Sequence, residues 1–331
     1  MEHETKVHYD EDADLSIIKD KTIAIIGYGN QGRAHALNMR DSGLNIIIGN
    51  IKDEYWERAE KDGFKVYTID KAAEMADILF ILLPDEIQPE VYENHIQREL
   101  QKNKVLCFAA GFSIHFGFIS PPKFVDVVME APRMIGHGVR DTYVRGTGYP
   151  TLIGIYQDAS GKAKDIVLAI AKASGGTKGG AFMSSFEEEA VLDIFSEQGC
   201  FAGMYELFAA HFETAVESGY NPLIVVLELW KSGEFVEEVK AWVEEGFFKQ
   251  MSGHSPTSQY GSMTRGPLYV TEEIRKTFRK VLNDIQTGVF AREWMMEQKM
   301  GKPVFNQLKR RALTHPINKA EEDLDRLIRK K

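Results

Sequence analysis

Residues 23–32 read Ile-Ala-Ile-Ile-Gly-Tyr-Gly-Asn-Gln-Gly, an apolar run that leads directly into a glycine-rich turn. Gly27, Gly29 and Gly32 have the spacing GxGxxG, which serves a tight turn, close approach of the backbone to a pyrophosphate, and close packing of a helix on a strand. Residues 33–42 are a predicted helix whose N-terminal amides would face the phosphates. The pattern predicts a dinucleotide-binding turn, and a glycine turn without a nucleotide is the alternative.

The sequence after this turn alternates between apolar runs and helical patterns. The runs predicted as strands are 45–49, 78–83 and 105–110, and the stretches predicted as helices between them are 54–62 and 87–100. Strands that alternate with helices predict a parallel sheet with crossover helices. The composition changes near residues 175–185, after which the chain is helical in pattern to its end. We therefore predict an N-terminal α/β domain joined to an all-helical domain.

The composition is that of a globular protein with room for two domains. The 331 residues include 44% hydrophobic and 27% charged residues, and the formal net charge is −9. This negative balance argues against a nucleic-acid partner, because no basic field is available to displace phosphate counterions. Residues 1–14 are polar and acidic, unlike a secretory signal, and no apolar run approaches the length of a membrane span. We expect a cytoplasmic protein with no membrane partner, and the two cysteines predict neither a disulfide framework nor a zinc site.

Three carboxylates in the helical half are candidate metal ligands. Asp193 and Glu197 lie four residues apart and would share one helical face, where their like charges need an offset such as a cation. Hard oxygen ligands of this kind suit magnesium. Glu228 is a third candidate, alone within an apolar run. The spacing by itself leaves open an ordinary exposed acidic face.

Several longer stretches are more specific than the glycine turn. They include Asp-Leu-Ser-Ile-Ile at 14–18, Leu-Leu-Pro-Asp-Glu at 82–86, Gly-Phe at 111–112, Asp-Ile-Phe-Ser-Glu-Gln at 193–198 and Glu-Ser-Gly-Tyr at 217–220. Together with the glycine turn, these motifs resemble the short-form ketol-acid reductoisomerases. The similarity runs almost from end to end of the chain.

The resemblance implies a fold and an activity. That family couples a magnesium-dependent alkyl migration in acetolactate or acetohydroxybutyrate to hydride reduction by a nicotinamide cofactor, in branched-chain amino-acid synthesis. It implies a Rossmann domain over residues 1–184, a knotted helical domain over residues 185–331, and a homodimer or higher oligomer with shared active sites. It further implies that Asp193 and Glu197 bind magnesium, that Glu228 acts across the dimer, and that Ser255 lies near the substrate.

The same resemblance gives the candidate site residues. The candidate catalytic residues are Arg133, Glu197 and Ser255. The candidate cofactor-binding residues are Gly27, Tyr28, Gly29, Asn30, Gln31 and Gly32 in the turn, Asn50, Lys52, Asp53 and Glu54 in the next loop, and Leu83, Pro84 and Gly111 after two later strands.

Four positions depart from the family pattern where its chemistry lies. Ala110 stands in place of a histidine, Arg133 of a lysine, Ser232 of a second metal-binding glutamate, and Gln259 of a glutamate. Without the histidine a proton must move by another route, and without the glutamate one magnesium position weakens or is lost. The planar guanidinium of Arg133 suits a substrate carboxylate. Alkyl migration is the step most affected, and hydride transfer the least.

The loop after the second strand predicts the choice of cofactor. It lacks the arginine and serines that hold a 2′-phosphate in many family members. Asp53 and Glu54 would repel that phosphate and accept hydrogen bonds from a ribose hydroxyl, whereas Lys52 favours the phosphate. We predict NADH as the cofactor, with NADPH as the alternative, and Mg²⁺ as the metal.

Three functions are consistent with this sequence. The first is a reductase that delivers hydride to the C=O or C=N carbon of a small 2-oxo or imino acid without alkyl migration. The second is a working ketol-acid reductoisomerase in which His115 or His137 carries the proton, although a structural role is the more usual explanation of a histidine among phenylalanine and isoleucine residues. The third is a dinucleotide-binding protein without catalytic activity.

Overall fold

The computed structural model describes residues 5–328 and divides the chain into two compact units. One unit extends to Leu192 and the other begins at Asp193. A single helix, Phe186–Phe195, runs through this division. The predicted boundary between residues 184 and 185 therefore stays a prediction.

The first unit is built on a nine-stranded sheet with strand order β1-β9-β8-β7-β6-β5-β2-β3-β4. The strands are β1 Val7–His8, β2 Thr22–Ile26, β3 Asn45–Gly49, β4 Lys65–Tyr67, β5 Ile78–Ile81, β6 Val105–Phe108, β7 Asp126–Pro132, β8 Thr151–Gln157 and β9 Ala181–Met183. The predicted parallel sheet is present from β4 to β7. The β7–β8 pair is antiparallel, because the chain leaves β7 at Pro132 and enters β8 at Thr151, which pairs with Pro132. The β1–β9 pair is also antiparallel.

Helices cover both faces of this sheet. They are α1 Asn30–Asp41, α2 Glu54–Lys61, α3 Ile69–Met75, α4 Gln88–Val91, α5 Phe112–His115, α6 Gly136–Arg145 and α7 Ala163–Ser174. One apolar core includes buried residues of α1 and α7, and the other includes those of α3. The helix predicted over residues 87–100 is divided into α4, a π-helical turn Tyr92–Ile96 and a 3₁₀ turn Gln97–Glu99.

The chain after β9 is helical, as predicted. Its helices are α8 Phe186–Phe195, α9 Ala202–Glu217, α10 Pro222–Val226, α11 Glu234–Glu245, α12 Pro256–Tyr269, α13 Glu272–Gln286, α14 Val289–Lys299, α15 Pro303–Leu313 and α16 Pro316–Ile328. A small core joins α9, α10 and α16 through Phe212, Val226 and Leu324. Within residues 5–328, no helix has the length and apolar character needed to cross a membrane. The family's knot in this half of the chain stays a prediction.

Candidate functional site

The glycine turn has the geometry that its spacing predicts. Gly27 has a φ of +93°, a left-handed conformation that favours glycine. A Cβ atom at Gly32 would lie 2.1 Å from the carbonyl oxygen of Gly27, so only glycine lets α1 pack this closely. A Cβ atom at Gly29, in contrast, would meet no protein atom within 4 Å. The space beside Gly29 is open, as close approach of a phosphate to the backbone requires.

The start of helix α1 is suited to an anion. Its N-cap residue, Gly29, has no side chain to bond the free amides, and the first turn contains no acidic residue. The amides and the helix dipole together favour a negative charge at this end. The turn and this helix start therefore fit the pyrophosphate of a dinucleotide.

The ends of three neighbouring strands meet beside the turn. The amide of Gly27 donates a hydrogen bond to the carbonyl of Gly49 at the end of β3, with N···O 2.9 Å. A Cβ atom at Gly27 would lie 2.9 Å from Cδ2 of Leu83, just after β5. Because β2 lies between β3 and β5, this is where the strand order reverses, the usual ligand crevice of such sheets.

The loop that follows β3 has its polar side chains largely bonded to each other. Oδ1 of Asp53 caps helix α2 by accepting hydrogen bonds from the amides of Tyr55 and Trp56 at 3.0 and 3.1 Å, and another from Nδ2 of Asn50 at 2.8 Å. Glu54 is exposed at the first position of α2. Nζ of Lys52 lies 6.0 Å from the ring centre of Trp56. Of the predicted cofactor-binding residues in this loop, Lys52 and Glu54 are thus exposed, while Asn50 and Asp53 shape the loop.

A buried carboxylate joins the loops that follow β6 and β7. Glu189 of α8 has a side chain that is 1% exposed, and its Oε1 lies 2.7 Å from Nη2 of Arg133, whose side chain is 32% exposed. Its Oε2 accepts a hydrogen bond from the amide of Gly111 at 2.6 Å. Sequence reasoning missed Glu189, although the series Glu189, Asp193, Glu197 repeats every four residues and the spacing offered a signal.

Gly111 is constrained by packing as well as by this bond. A Cβ atom there would lie 2.1 Å from the carbonyl oxygen of Phe186 at the start of α8. Its predicted contact with the cofactor stays a prediction, as does that of Pro84. Ala110, beside it, is partly buried.

The loop containing Arg133 also packs against the glycine turn. Nε2 of Gln31 donates a hydrogen bond to the carbonyl of Met134 at 2.9 Å. Gly136 lies against the backbone of Asn30, where a Cβ atom would be 2.6 Å from its carbonyl carbon and oxygen. Arg133 is therefore held at the same edge of the sheet as the turn. His137, which follows in α6, is exposed, and the ring of His115 lies 4.6 Å from that of Phe116.

The two predicted magnesium ligands lie where the helix changes its geometry. Asp193 is in α8, and Glu197 is in the π-helical turn Ser196–Phe201 that continues it. Partial burial and the nearby charge of Asp193 raise the pKa of Glu197. Two interacting carboxylates are a donor set that fits a magnesium ion that keeps several waters. Another π-helical turn, Leu227–Lys231, contains Glu228, and such turns are frequent at functional sites.

The structure does not bring Glu228 to these two carboxylates. Within residues 5–328, no three histidine, cysteine, aspartate or glutamate side chains form a group that could hold a metal ion. Ser232 caps the π-helical turn Leu227–Lys231 at its C-terminus, and its Oγ accepts a hydrogen bond from the amide of Glu234 at 3.4 Å. Ser255 caps α12 by accepting from the amide of Ser258, and Nε2 of Gln259 donates to the carbonyl of His254 at 2.7 Å.

A second buried polar group lies in the core of the first unit. Glu130 on β7 and His35 on α1 are both fully buried, with Nδ1 of His35 3.6 Å from Oε2 of Glu130. Thr151 donates a hydrogen bond to Oε1 of Glu130 at 2.7 Å. Burial raises the pKa of Glu130 to about 7 and lowers the pKa of His35 to about 3. Both side chains are therefore neutral in the folded protein near pH 6.

Comparison with known families accounts for both halves of the chain. Residues 17–180 match the family model for the acetohydroxy acid isomeroreductase, NADPH-binding domain, and residues 186–330 match that for the ketol-acid reductoisomerase, C-terminal domain. A Saccharolobus solfataricus protein named "Putative ketol-acid reductoisomerase 3" is 49% identical over 326 residues, which is 97% of each chain.

Solved structures agree with these matches. The NADH-preferring ketol-acid reductoisomerase from an uncultured archaeon is 38% identical and superposes with a TM-score of 0.92, covering 97% of this chain and 99% of that one. A semialdehyde dehydrogenase NAD-binding protein from Cupriavidus necator has a TM-score of 0.62 at 14% identity, covering 81% of this chain and 99% of its own. The second similarity shows the fold alone.

Proposed function

Because the chain belongs to the ketol-acid reductoisomerase family, whose members are NAD(P)-dependent oxidoreductases, we propose that it reduces a small 2-oxo or imino acid without alkyl migration. Hydride would pass from the nicotinamide to the carbonyl or imine carbon of the substrate. The support for this proposal is the contrast between an intact dinucleotide turn and the altered residues Ala110 and Ser232.

The chain's own residues have distinct parts in this proposal. The turn 27–32 and the start of α1 would hold the pyrophosphate, and the nicotinamide supplies the hydride. Arg133 would hold the substrate carboxylate, and Glu189 would fix the orientation of its guanidinium. Asp193 and Glu197 would hold magnesium, which when bound polarises the substrate oxygen. Ser255 would lie near the substrate. A proton would reach the substrate through water, because the side chain of Ala110 has no acidic group.

A substrate panel tests the proposal. The purified protein with Mg²⁺ and NADH or NADPH is given acetolactate, its already-migrated isomer 3-hydroxy-3-methyl-2-oxobutyrate, ketopantoate and an imino acid, and cofactor oxidation is followed. We expect reduction of one of the last three with no turnover of acetolactate. Turnover of acetolactate would instead establish a complete reductoisomerase, and cofactor binding with no turnover of any substrate would favour a protein without catalysis.

A complete ketol-acid reductoisomerase is the second candidate function. It would convert acetolactate to 2,3-dihydroxyisovalerate in branched-chain amino-acid synthesis. It is favoured by similarity over nearly the whole chain to two proteins named as such reductoisomerases. It requires that the changes at Ala110, Arg133 and Ser232 be compensated together. Growth of a branched-chain auxotroph that carries this gene would support it.

NADH is the proposed cofactor. Exposed Glu54 would repel a 2′-phosphate, and one similar structure is that of an NADH-preferring enzyme. We expect the double variant Asp53→Ser, Glu54→Ser to shift the NADPH-to-NADH ratio of kcat/KM about tenfold toward NADPH, a change of about 1.4 kcal/mol. Serine at residue 53 keeps a helix cap, so α2 is retained. Glu60→Ser, at an exposed position near the other end of α2, is the matched control, and an unchanged ratio in the double variant would refute the assignment.

A homodimer or higher oligomer is the proposed assembly. The helical unit exposes large apolar side chains, among them Val243 at 83%, Phe248 at 76% and Leu268 at 70%. Apolar surface of this extent is typical of a face covered by a partner. A second copy would also supply Glu228 to Asp193 and Glu197. Light scattering should give at least twice the monomer mass, and a monomer at micromolar concentration would contradict the proposal.

A further inference from the structure

One carboxylate connects the glycine turn to the helix that follows the ribose-reading loop. Asp62 ends helix α2, and its Oδ2 accepts a hydrogen bond from the phenol of Tyr28 at 2.8 Å. Tyr28 is the second residue of the turn and is 1% exposed. Asp62 therefore lies at one end of α2, and Asp53 and Glu54 lie at the other.

Two arginines of α1 donate hydrogen bonds to Asp62. Arg33 donates to both carboxylate oxygens of Asp62, from Nε at 2.7 Å and from Nη2 at 3.1 Å. Arg40 donates to the backbone carbonyl of Asp62 at 2.7 Å, and its guanidinium lies 5.0 Å from the ring centre of Phe64. Helix α1 is thus attached to the end of α2 at two points along its length.

The charge of Asp62 is unfavourable for its own helix. A negative charge at a helix C-terminus opposes the helix dipole, so α2 alone would favour a basic residue there. The bonds from Arg33 and Tyr28 hold the pKa of Asp62 below its usual value. The position of this aspartate is therefore explained by its contacts with the turn and α1 and not by the stability of α2.

We propose that Asp62 is a positioning residue that fixes the distance between the pyrophosphate-binding turn and the ribose-reading loop. The two sites would contact the pyrophosphate and the ribose of one ligand, and α2 is a short helix of eight residues that passes a shift at one end to the other. Loss of Asp62 frees the end of α2 and leaves the buried Tyr28 hydroxyl without its acceptor. This inference rests on the proposed nucleotide cofactor.

Direct binding tests the proposal without any substrate. We expect Asp62→Ala to raise the Kd for NADH about tenfold, and Asp62→Asn to raise it less, since an amide oxygen still accepts the Tyr28 bond. In turnover assays the KM for NADH should rise by a larger factor than kcat falls. Glu74→Ala is the matched control, because Glu74 also forms an ion pair, with Lys71 at 2.8 Å, but this pair lies within α3 and involves neither α1 nor α2.

Each outcome has a separate meaning. A lower melting temperature for Asp62→Ala with an unchanged Kd for NADH would show that Asp62 is only structural and would overturn the proposal. A Kd that rises equally in Glu74→Ala would overturn it as well, since the loss of an ion pair elsewhere in this unit would then suffice. Failure of the parent protein to bind either NADH or NADPH would refute the proposed cofactor instead.

Discussion

Replacing Glu189 by alanine is expected to destabilise the protein by about 2–3 kcal/mol and to lower kcat/KM about 10²-fold. The change removes one partner of Arg133 and the acceptor of the Gly111 amide at once. Glu189 is almost fully buried, so both groups lose a bond that water cannot fully replace. The loops that follow β6 and β7 lose their common anchor, and the Arg133 guanidinium loses its fixed orientation. Urea denaturation and steady-state kinetics measure the two effects.

Two further variants separate charge from shape at Glu189. Glu189→Gln keeps an acceptor for Gly111 but removes the charge opposite Arg133, so its losses should be intermediate. Glu188→Gln alters the neighbouring residue, which is exposed and bonds to Ser184 Oγ at 2.6 Å, and should leave stability within about 0.5 kcal/mol. If Glu189→Gln had the activity and stability of the parent, the ion pair with Arg133 would contribute to neither.

The buried pair Glu130 and His35 is expected to cancel its own pH dependence. The pKa of Glu130 is raised in the folded protein, so its contribution to the free energy of unfolding falls by about 1.4 kcal/mol per pH unit from about pH 4.5 to about 7. The pKa of His35 is lowered, so its contribution rises at the same rate from about pH 3 to about 6.5. Between about pH 4.5 and 6.5 the two slopes offset each other.

Single variants should reveal the two opposite slopes. We expect the unfolding free energy of Glu130→Gln, relative to the parent, to rise with pH between 5 and 6.5, and that of His35→Asn to fall, each by about 2 kcal/mol over the window. The difference from the parent removes the titration of all other groups. Glu130 also interacts electrostatically with the thiol of Cys107, the phenol of Tyr149 and the guanidinium of Arg133. Flat differences for both variants would mean that burial does not displace the pKa of either side chain.

Much of the α/β unit could be predicted because its signals are local. Apolar runs locate β3, β5 and β6 to within a few residues, and the glycine spacing of residues 27–32 predicts a turn whose steric demands the structure reproduces. The antiparallel direction of β8 was not predicted. A strand's direction depends on the connection that precedes it, and the residues of the strand itself do not indicate it. The π-helical turns were missed for a related reason, since they disturb a helical pattern by only one residue.

The contacts that assemble the candidate site could not be predicted from local patterns. Arg133 and Glu189 are 56 residues apart in the chain, and Tyr28 and Asp62 are 34 apart. Periodicity gives no information about pairs at such distances. Glu130 and His35 were missed because each has apolar residues on both sides, and only the fold shows that they face each other.

The cap at the start of α2 has an evolutionary consequence. Asp53 both caps this helix and lies in the loop expected to read the ribose, so any substitution there acts on stability and on nucleotide choice together. In the genetic code, aspartate reaches serine by successive single-nucleotide changes through asparagine or glycine, and all four residues are good helix caps. The preference of the loop for NADH or NADPH can therefore change during evolution through intermediates that all keep the helix cap. A direct change to a long basic residue would instead cost about 1 kcal/mol of stability.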